Sequence, residues 1–470
     1  MTLAPEAARA IGHFDLAVIG SGPAGQKAAI AAAKLGKRVA VIDRRSGVGG
    51  ASLHTGTIPS KTLREAILYL SGMRHRSFYG GDYVLQKAIS AEDLALRVRL
   101  VQRRELAVVV DQFRRNGVTL VEGFARFLGP HELEVTHEDG VGTITADHVL
   151  IACGTRPAHS DRVVVDDVHV FDSDMRGARA IAHDVIVVGA GVIGLEYGSM
   201  FAALGVQVTI IDQQPKLLEF ADREIIRSLR VHLESLGVVF RLEETVRGVS
   251  IDASGHVVCE LESGTTLNAE TLFYCIGRQA NTDQLNLSAV GLSADTRGRL
   301  AVNECYQTGV PHIYAAGDVV GFPALASSSM EQGRIAACHM FGAPYHAFPL
   351  LLPIGIYTIP EIAMVGQTED QLEAAGTPYA VGIARYEDVA KAQLLGAVDG
   401  MLKLVFNPQS LRVLGVHILG ESASELAHLG QAVIAFGGTL EYFRDTVFNY
   451  PTLSEAYKVA ALNGLNRLRV

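Results

Sequence analysis

The chain has 470 residues, of which 49% are hydrophobic and 19% charged, with a formal net charge of -9. That length implies roughly two to four domains rather than one growing core, and the acidic balance argues against a nucleic-acid partner and leaves anionic ligands to local sites. Five scattered cysteines, Cys153, Cys259, Cys275, Cys305 and Cys338, show no CxxC and no metal-like spacing, so a reducing cytoplasm and no metal are expected.

The opening MTLAPEAARAIGH lacks the apolar run of a signal peptide and reads as a loose tail. Phe14 to Ile19 is a short apolar strand, followed by a helix in GSGPAGQKAAIAAAKLG and a second strand, RVAVI, ending at Asp43. This βαβ unit carries a dinucleotide fingerprint. Gly20 permits the tight turn, Gly22 lets a pyrophosphate approach the helix N-terminus, Gly25 lets helix pack on strand, and Asp43 can accept from a ribose hydroxyl. A glycine-rich turn in some other α/β protein is the bland alternative; strand, helix and terminal acid in register weigh against it.

Next comes GGASLHTGTIPSK, Gly49 to Lys61, which runs into a helix through Tyr69 with Lys61 near its first turn. Ala91 to Arg115 is a charged amphipathic helix whose Arg pairs suit a solvated face. A DG turn at Asp139 and Gly140 predicts a hairpin ahead of VLIACGTRP. Asp184 to Asp212 then repeats the first unit, with Gly189, Gly191 and Gly194, and in both units the acid follows the third glycine by 18 residues. Two dinucleotide sites in one chain, if one holds a flavin and the other a nicotinamide, make a hydride-transfer machine. Glu243 to Arg278 reads as short strands, and IYAAGDVVG is followed by FPALASSSMEQGRIAACHM, a predicted helix. Residues 335–360 lack Asp, Glu, Lys and Arg, yet Gly342, Pro344, Pro349 and Pro353 break them into a domain junction rather than a membrane span. A third region of strands and helices runs from IGIYTIPEIAMVG to FNYPTLSEAYKVAALNG.

The segment from Gly49 to Lys61 resembles the redox segment of the flavoprotein pyridine nucleotide-disulfide oxidoreductases, GGxCxxxGCxPSK. Gly49, Gly50, Gly56, Pro59, Ser60 and Lys61 are kept, while Ser52 and Thr57 stand where that family carries its two redox cysteines. A hydroxyl cannot be oxidised to a disulfide, so hydride leaving a flavin must go elsewhere. The resemblance covers nearly the whole chain from residue 14 on. It implies an α/β fold with two Rossmann-like dinucleotide-binding domains, for FAD and NAD(P), plus an α+β C-terminal dimerisation domain. The expected bounds are 1–160 and 283–345 for the FAD domain, 161–282 for the NAD(P) domain, and 346–470 for the last.

It further implies FAD at the first loop, with Gly154 returning the chain to the flavin nucleotide and Asp318 on the ribityl chain. The helix after Asp318 would aim its first amides at the pyrimidine side of the ring. Lys61 and Glu196 are expected to pair beside the flavin as the catalytic residues, and Gly277 and Arg278 to line the cofactor cleft. Tyr450 replaces the family's C-terminal histidine, with Pro451, Thr452 and Glu455 kept, so dithiol and base are lost together and packing at a dimer interface is expected for Tyr450. Cys153 reads as a buried small hydrophobe.

The wording GTIPSK and NYPTxxEAY is similar to the soluble pyridine nucleotide transhydrogenase group within that family. This similarity implies ping-pong hydride transfer between NAD(H) and NADP(H) through FAD in a homodimer or larger homo-oligomer. Asp212 should favour a ribose 2'-hydroxyl, and only Lys216 or Arg223 lies near enough in sequence to receive a 2'-phosphate. An NADH diaphorase or quinone-type reductase, a dihydrolipoamide dehydrogenase-like protein without its disulfide, and a flavin-bound sensor without turnover therefore stay open.

Overall fold

A computed structural model describes residues 9–44, 47–72, 90–174 and 182–468. The chain forms two compact units: Met1–Leu63, Ala95–Ala158 and Gly277–Phe348 make the first, and Arg64–Leu94, His159–Ile276 and Pro349–Val470 the second.

In the first unit, β1 (Arg9–Ile19), α1 (Pro23–Lys34) and β2 (Val39–Asp43) form the expected βαβ motif. Next come α2 (Gly50–His54), the start of α3 (Thr57–Leu70) and most of α4 (Ala91–Arg115). The strands that follow are β3 (Thr119–Glu122), β4 (Phe124–Gly129), β5 (Glu132–His137), β6 (Gly140–Ile151) and β7 (Thr155–Pro157). The sheet order is β3-β2-β1-β6-β5-β4, and β1 lies parallel to both neighbours, with Val18 level with Val41 and with Leu150. A parallel strand covered on both faces must be apolar on both. Alternation accordingly sends Ala17 and Ile19 into one core and Leu16 and Val18 into another.

Two expectations change here. The strand begins at Arg9, not Phe14, because Arg9 to His13 pair with Gly142 to Thr145 of β6; residues 1–8 of the expected tail lie outside the described residues. The hairpin between β5 and β6 closes on the His137 and Gly140 pair, so the turn residues are Glu138 and Asp139, one position earlier than the DG reading.

The second unit takes the rest of α3 and the start of α4, then β8 (Val170–Asp172) and the repeated motif, β9 (Asp184–Val188), α5 (Val192–Ala203) and β10 (Gln207–Asp212). It continues with α6 (Arg223–Ser235), β11 (Val239–Leu242), β12 (Val246–Ile251), β13 (Val257–Leu261), β14 (Thr266–Ala269) and β15 (Thr271–Tyr274). The parallel order is β11-β10-β9-β15-β8, and the antiparallel sheet β12-β13-β14 shares a core with Ile186, Val188 and Ile211. The chain re-enters the first unit at β16 (Arg278–Ala280), β17 (Ile313–Ala315) and α7 (Ala326–Met340). That last helix begins later than the predicted start at Phe322, because Ser328 Oγ accepts from Leu325 N and donates to Pro323 O, holding the preceding turn out of the helix.

The rest of the second unit comprises β18 (Ile354–Ile356), β19 (Ile362–Gly366), α8 (Glu369–Ala374), β20 (Ala380–Arg385), α9 (Ala390–Leu395), β21 (Met401–Phe406) and β22 (Val413–Leu419). Three helices follow: α10 (Ala423–Ala435), α11 (Leu440–Asp445) and α12 (Glu455–Arg467). Its sheet is β18-β19-β22-β21-β20. Among the described residues no helix is long and apolar enough to cross a membrane, and no group of His, Cys, Asp and Glu could hold a metal.

Candidate nucleotide and redox site

The three glycines of the first loop are bare for different reasons. Gly20 has φ +102°, and a Cβ there would lie 2.4 Å from Ala152 O; one on Gly25 would lie 2.0 Å from Gly20 O. Turn and helix packing explain both. Gly22 has an ordinary φ of -65°, and its added Cβ would meet nothing nearer than Gly50 Cα at 3.9 Å. Among the described residues no neighbour requires glycine there, so its bareness keeps space open at the N-terminus of α1. The first turn of that helix holds no acidic residue, so its positive end suits a pyrophosphate.

Asp43 ends β2 as expected, and a residue the sequence reading treated as a spacer holds it. Ser21 donates its amide at 2.7 Å and its hydroxyl at 2.5 Å to Asp43 Oδ2, while Ser21 Oγ accepts from Gly49 N at 2.9 Å. Burial pushes the Asp43 carboxyl above its usual range, against the pull of these bonds. The only signal in the sequence was a small hydroxyl between two loop glycines.

The segment that resembles the family's redox segment folds directly onto this loop. Gly50, at φ +65°, would place a Cβ 2.7 Å from Gly22 Cα, and Gly49, at φ +104°, one 2.4 Å from Leu53 Cδ2. Ser52, half-buried on α2, donates to Gly49 O at 3.2 Å, whereas Thr57 is the exposed first residue of α3. Gln102 of α4, a helix to which the sequence assigned no chemistry, donates to Leu53 O at 3.2 Å and His54 O at 3.0 Å. Lys61 lies half-buried on α3, and Arg64 further along donates to Thr358 O at 3.1 Å and pairs with Glu361 at 3.4 Å.

Gly154 has φ +64° and open space around its missing Cβ. Beside it, Thr155 Oγ1 accepts from Arg278 Nε at 2.7 Å and donates to Asp318 Oδ2 at 3.3 Å. Arg278 also donates to Thr155 O at 2.9 Å, and Gly277 O accepts from Ala158 N at 3.0 Å. Gly277 and Arg278 thus belong to the first unit, where Arg278 reaches Asp318 through Thr155. Asp318 opens a short 3-10 turn flanked by Gly317 and Gly321, both at positive φ. Burial pushes the Cys153 thiol up to about 12, which suits an inert small side chain.

The second loop repeats the pattern of the first. A Cβ on Gly189, at φ +110°, would lie 2.7 Å from Cys275 O, and one on Gly194 1.8 Å from Gly189 O, while one on Gly191 would meet nothing within 4 Å. The first turn of α5 also lacks an acid. Asp212 accepts from Ala190 N at 2.5 Å and Gln214 N at 2.8 Å. Ala190 stands where the first loop has Ser21, so no hydroxyl bridges here. Arg223, a candidate for a 2'-phosphate, instead donates to Asp370 at 2.9 Å and Glu373 at 2.8 Å, and Lys216 is exposed.

Glu196 is 4% exposed, and its Oε1 accepts from Tyr357 N at 2.8 Å. Ser199 Oγ, one turn on, donates to Glu196 O and accepts from Ile359 N. The expectation for Glu196 named only Lys61; its bond to the 357–361 segment had no signature in the sequence. Tyr450 is 68% exposed on this chain, and Glu455 opens α12.

Two dinucleotide loops in a mixed α/β chain, the first closed by a reductase-like frame, define a two-nucleotide oxidoreductase. The comparisons agree. Residues 14–333 match the family model for pyridine nucleotide-disulphide oxidoreductases, and residues 352–461 match that family's dimerisation domain. The chain belongs to this flavoprotein oxidoreductase family, and its dimerisation domain points to a homo-oligomer. It is 50% identical over 462 residues to the soluble pyridine nucleotide transhydrogenase of Mycobacterium tuberculosis, covering 97% of this chain and 98% of that one. The enzyme of the same name from a Marinomonas species is 44% identical, at 97% and 99% coverage. A crystal structure of LpdA from Mycobacterium tuberculosis matches with a TM-score of 0.87 at 27% identity, covering 96% of this chain and 99% of that one. The Escherichia coli flavoprotein disulfide reductase RclA, at 24% identity and TM-score 0.84 over 95% and 99% of the two chains, shares the fold.

Proposed function

We propose that this protein passes hydride between NAD(H) and NADP(H) through bound FAD, in a ping-pong cycle that uses no redox-active cysteine. The observation that carries this reading is the frame from Gly49 to Lys61. Its Gly50 closes on Gly22 of the nucleotide loop, yet Ser52 and Thr57 occupy the two sulfur positions of the family motif and no cysteine precedes Cys153. Of the cysteines elsewhere, burial pushes the thiols of Cys153, Cys259 and Cys275 up, away from thiolate character. The names of the near relatives point the same way.

The residues fit the two nucleotides. FAD, when bound, supplies the centre that accepts and releases a hydride. The backbone at Gly20, Gly22 and Gly25 would hold its pyrophosphate, Asp43 its adenosine ribose and Asp318 its ribityl chain, with Gly49, Gly50, Ser52, Thr57 and Gly154 around it. The loop at Gly189, Gly191 and Gly194 with Asp212 would hold NAD(H) or NADP(H), and one such loop serving both nucleotides in turn makes the cycle ping-pong. Lys61 and Glu196 would pair beside the ring. No general base is required, because hydride transfer moves no separate proton; binding and orientation do the catalytic work.

Stopped-flow absorbance tests the reading. NADH should bleach the flavin, and NADP+ or thio-NAD+ should restore its colour at a rate matching turnover. A flavin that bleaches and is reoxidised only by a quinone would identify a diaphorase instead. One that bleaches and stalls with every acceptor would identify a sensor.

A further inference from the structure

A lysine occupies the centre of a strand that is buried along its whole length. Leu402, Leu404 and Phe406 of β21 belong to the core formed with α10 and α12, so alternation turns Met401, Lys403 and Val405 to the opposite face. There the side chain of Lys403 is 0% exposed. A buried ammonium persists only if its donors are met. Its Nζ lies 2.9 Å from Asp222 Oδ2 and 3.2 Å from Glu224 Oε2, and also bonds Glu369. Burial alone would lower the Lys403 pKa, but the charges and hydrogen bonds of Asp222 and Glu369 outweigh it and raise it. His417, level with Lys403 on β22 and also buried, donates to Gln367 O at 3.0 Å.

All three carboxylates have a place in the second unit's architecture. Asp222 is the N-cap of α6, accepting from Glu224 N at 3.0 Å and Ile225 N at 3.3 Å. Arg223 beside it is bound to Asp370 and Glu373, in α8 with Glu369. The start of α6 is therefore held at successive positions, Asp222, Arg223 and Glu224, by residues between 369 and 403. Between Asp212 and Asp222 the chain has no helix or strand. Within it Leu217, Leu218 and Ala221 are buried, and its two ends are held at Asp212 and Asp222.

We propose that Lys403 is a positioning residue for the second nucleotide site: by holding Asp222, Glu224 and Glu369 it fixes the far end of the 213–221 segment that starts at Asp212, and so sets affinity for the adenosine half of the nucleotide. The proposal rests on the reading of Asp212 as the ribose-binding acid. It is tested with the FAD-loaded enzyme carrying Lys403→Met, by calorimetric titration with NAD+ and by stopped-flow reduction with NADH. The expected result is a Kd for NAD+ raised about tenfold, with FAD content and the limiting reduction rate at saturating NADH within about twofold of wild type. Amides of 213–225 should also exchange faster with deuterium than in wild type, while those of α1 do not.

An unchanged Kd overturns the proposal, and so does a loss of FAD and limiting rate in step with NAD+ affinity, which marks a general structural role. Arg223→Ala, at a half-exposed position, keeps the test decisive if Lys403→Met does not fold. It should raise the Kd two- to threefold, on the order expected for exposed pairs such as those to Asp370 and Glu373, and an unchanged value would then overturn the proposal. Asp212→Asn in the same titration separates the two readings. Affinity indifferent to Asp212 removes the ribose assignment, whereas affinity sensitive to Asp212 but indifferent to Lys403 defeats this proposal alone.

Discussion

Gly50 approaches Gly22 so closely that a Cβ on it would lie 2.7 Å from the Gly22 Cα. The frame that carries sulfur in the disulfide reductases is thus built against the backbone expected to meet a pyrophosphate. Gly22 itself is under no such constraint from the described residues, which separates its role from that of its neighbours.

Gly22→Ala should therefore fold normally and lose flavin. The protein has room for the methyl group, but the methyl would occupy the space proposed for the pyrophosphate, costing about tenfold in FAD affinity, ~1.4 kcal/mol. Flavin absorbance per protein after gel filtration, alongside the apoprotein's Tm, checks this. Equal flavin content would show that the space is not the cofactor's.

Ser21→Ala removes a hydroxyl that bridges Asp43 and Gly49 N and should destabilise the apoprotein by about 1–3 kcal/mol. Its pH dependence follows from Asp43, whose folded pKa is raised by burial. A carboxyl raised on folding binds more protons folded than unfolded, so stability falls as pH rises from the unfolded value of about 3.9 through the folded one. Losing the hydroxyl's bond raises the folded pKa further, while the backbone amide at position 21 still donates to Asp43. The deficit of the variant should accordingly grow between about pH 4 and neutrality and shrink in acid, as chemical denaturation at several pH values would show. A deficit independent of pH would assign the loss to Gly49 N instead.

Asp212→Asn should weaken NADH and improve relative use of NADPH by about 1–3 kcal/mol, since the carboxylate suits a ribose hydroxyl and repels a 2'-phosphate. The ratio of kcat/KM for the two nucleotides is the measurement. No change in that ratio would refute the assignment of Asp212.

Lys61→Met should slow flavin reduction by NADH by about tenfold or more while FAD stays bound, because the pyrophosphate and ribityl contacts proposed at Gly22 and Asp318 would be untouched. Reduction at the wild-type rate would place Lys61 away from the reacting part of the flavin.

The resemblance to the disulfide oxidoreductases supplied the frame from Gly49 to Lys61 and the loss of both sulfur positions, whereas the sequence alone determined the two βαβ units and the acid closing each. Each of these is a local pattern: a turn that only glycine can make, a helix N-terminus, or a period of two along a buried strand. Tertiary structure decided what those residues touch. That Ser21 bridges Asp43 to Gly49, that Arg278 reaches Asp318 through Thr155, and that Glu196 carries the amide of Tyr357 depends on segments distant in sequence. Lys403 is the sharpest case: its neighbours in the chain read as a plain apolar strand, and only the tertiary placement of the starts of α6 and α8 brings Asp222, Glu224 and Glu369 to it. A spacing within one element can be read from the chain because the backbone sets it, whereas a hydrogen bond between elements exists only once the core has chosen which faces meet.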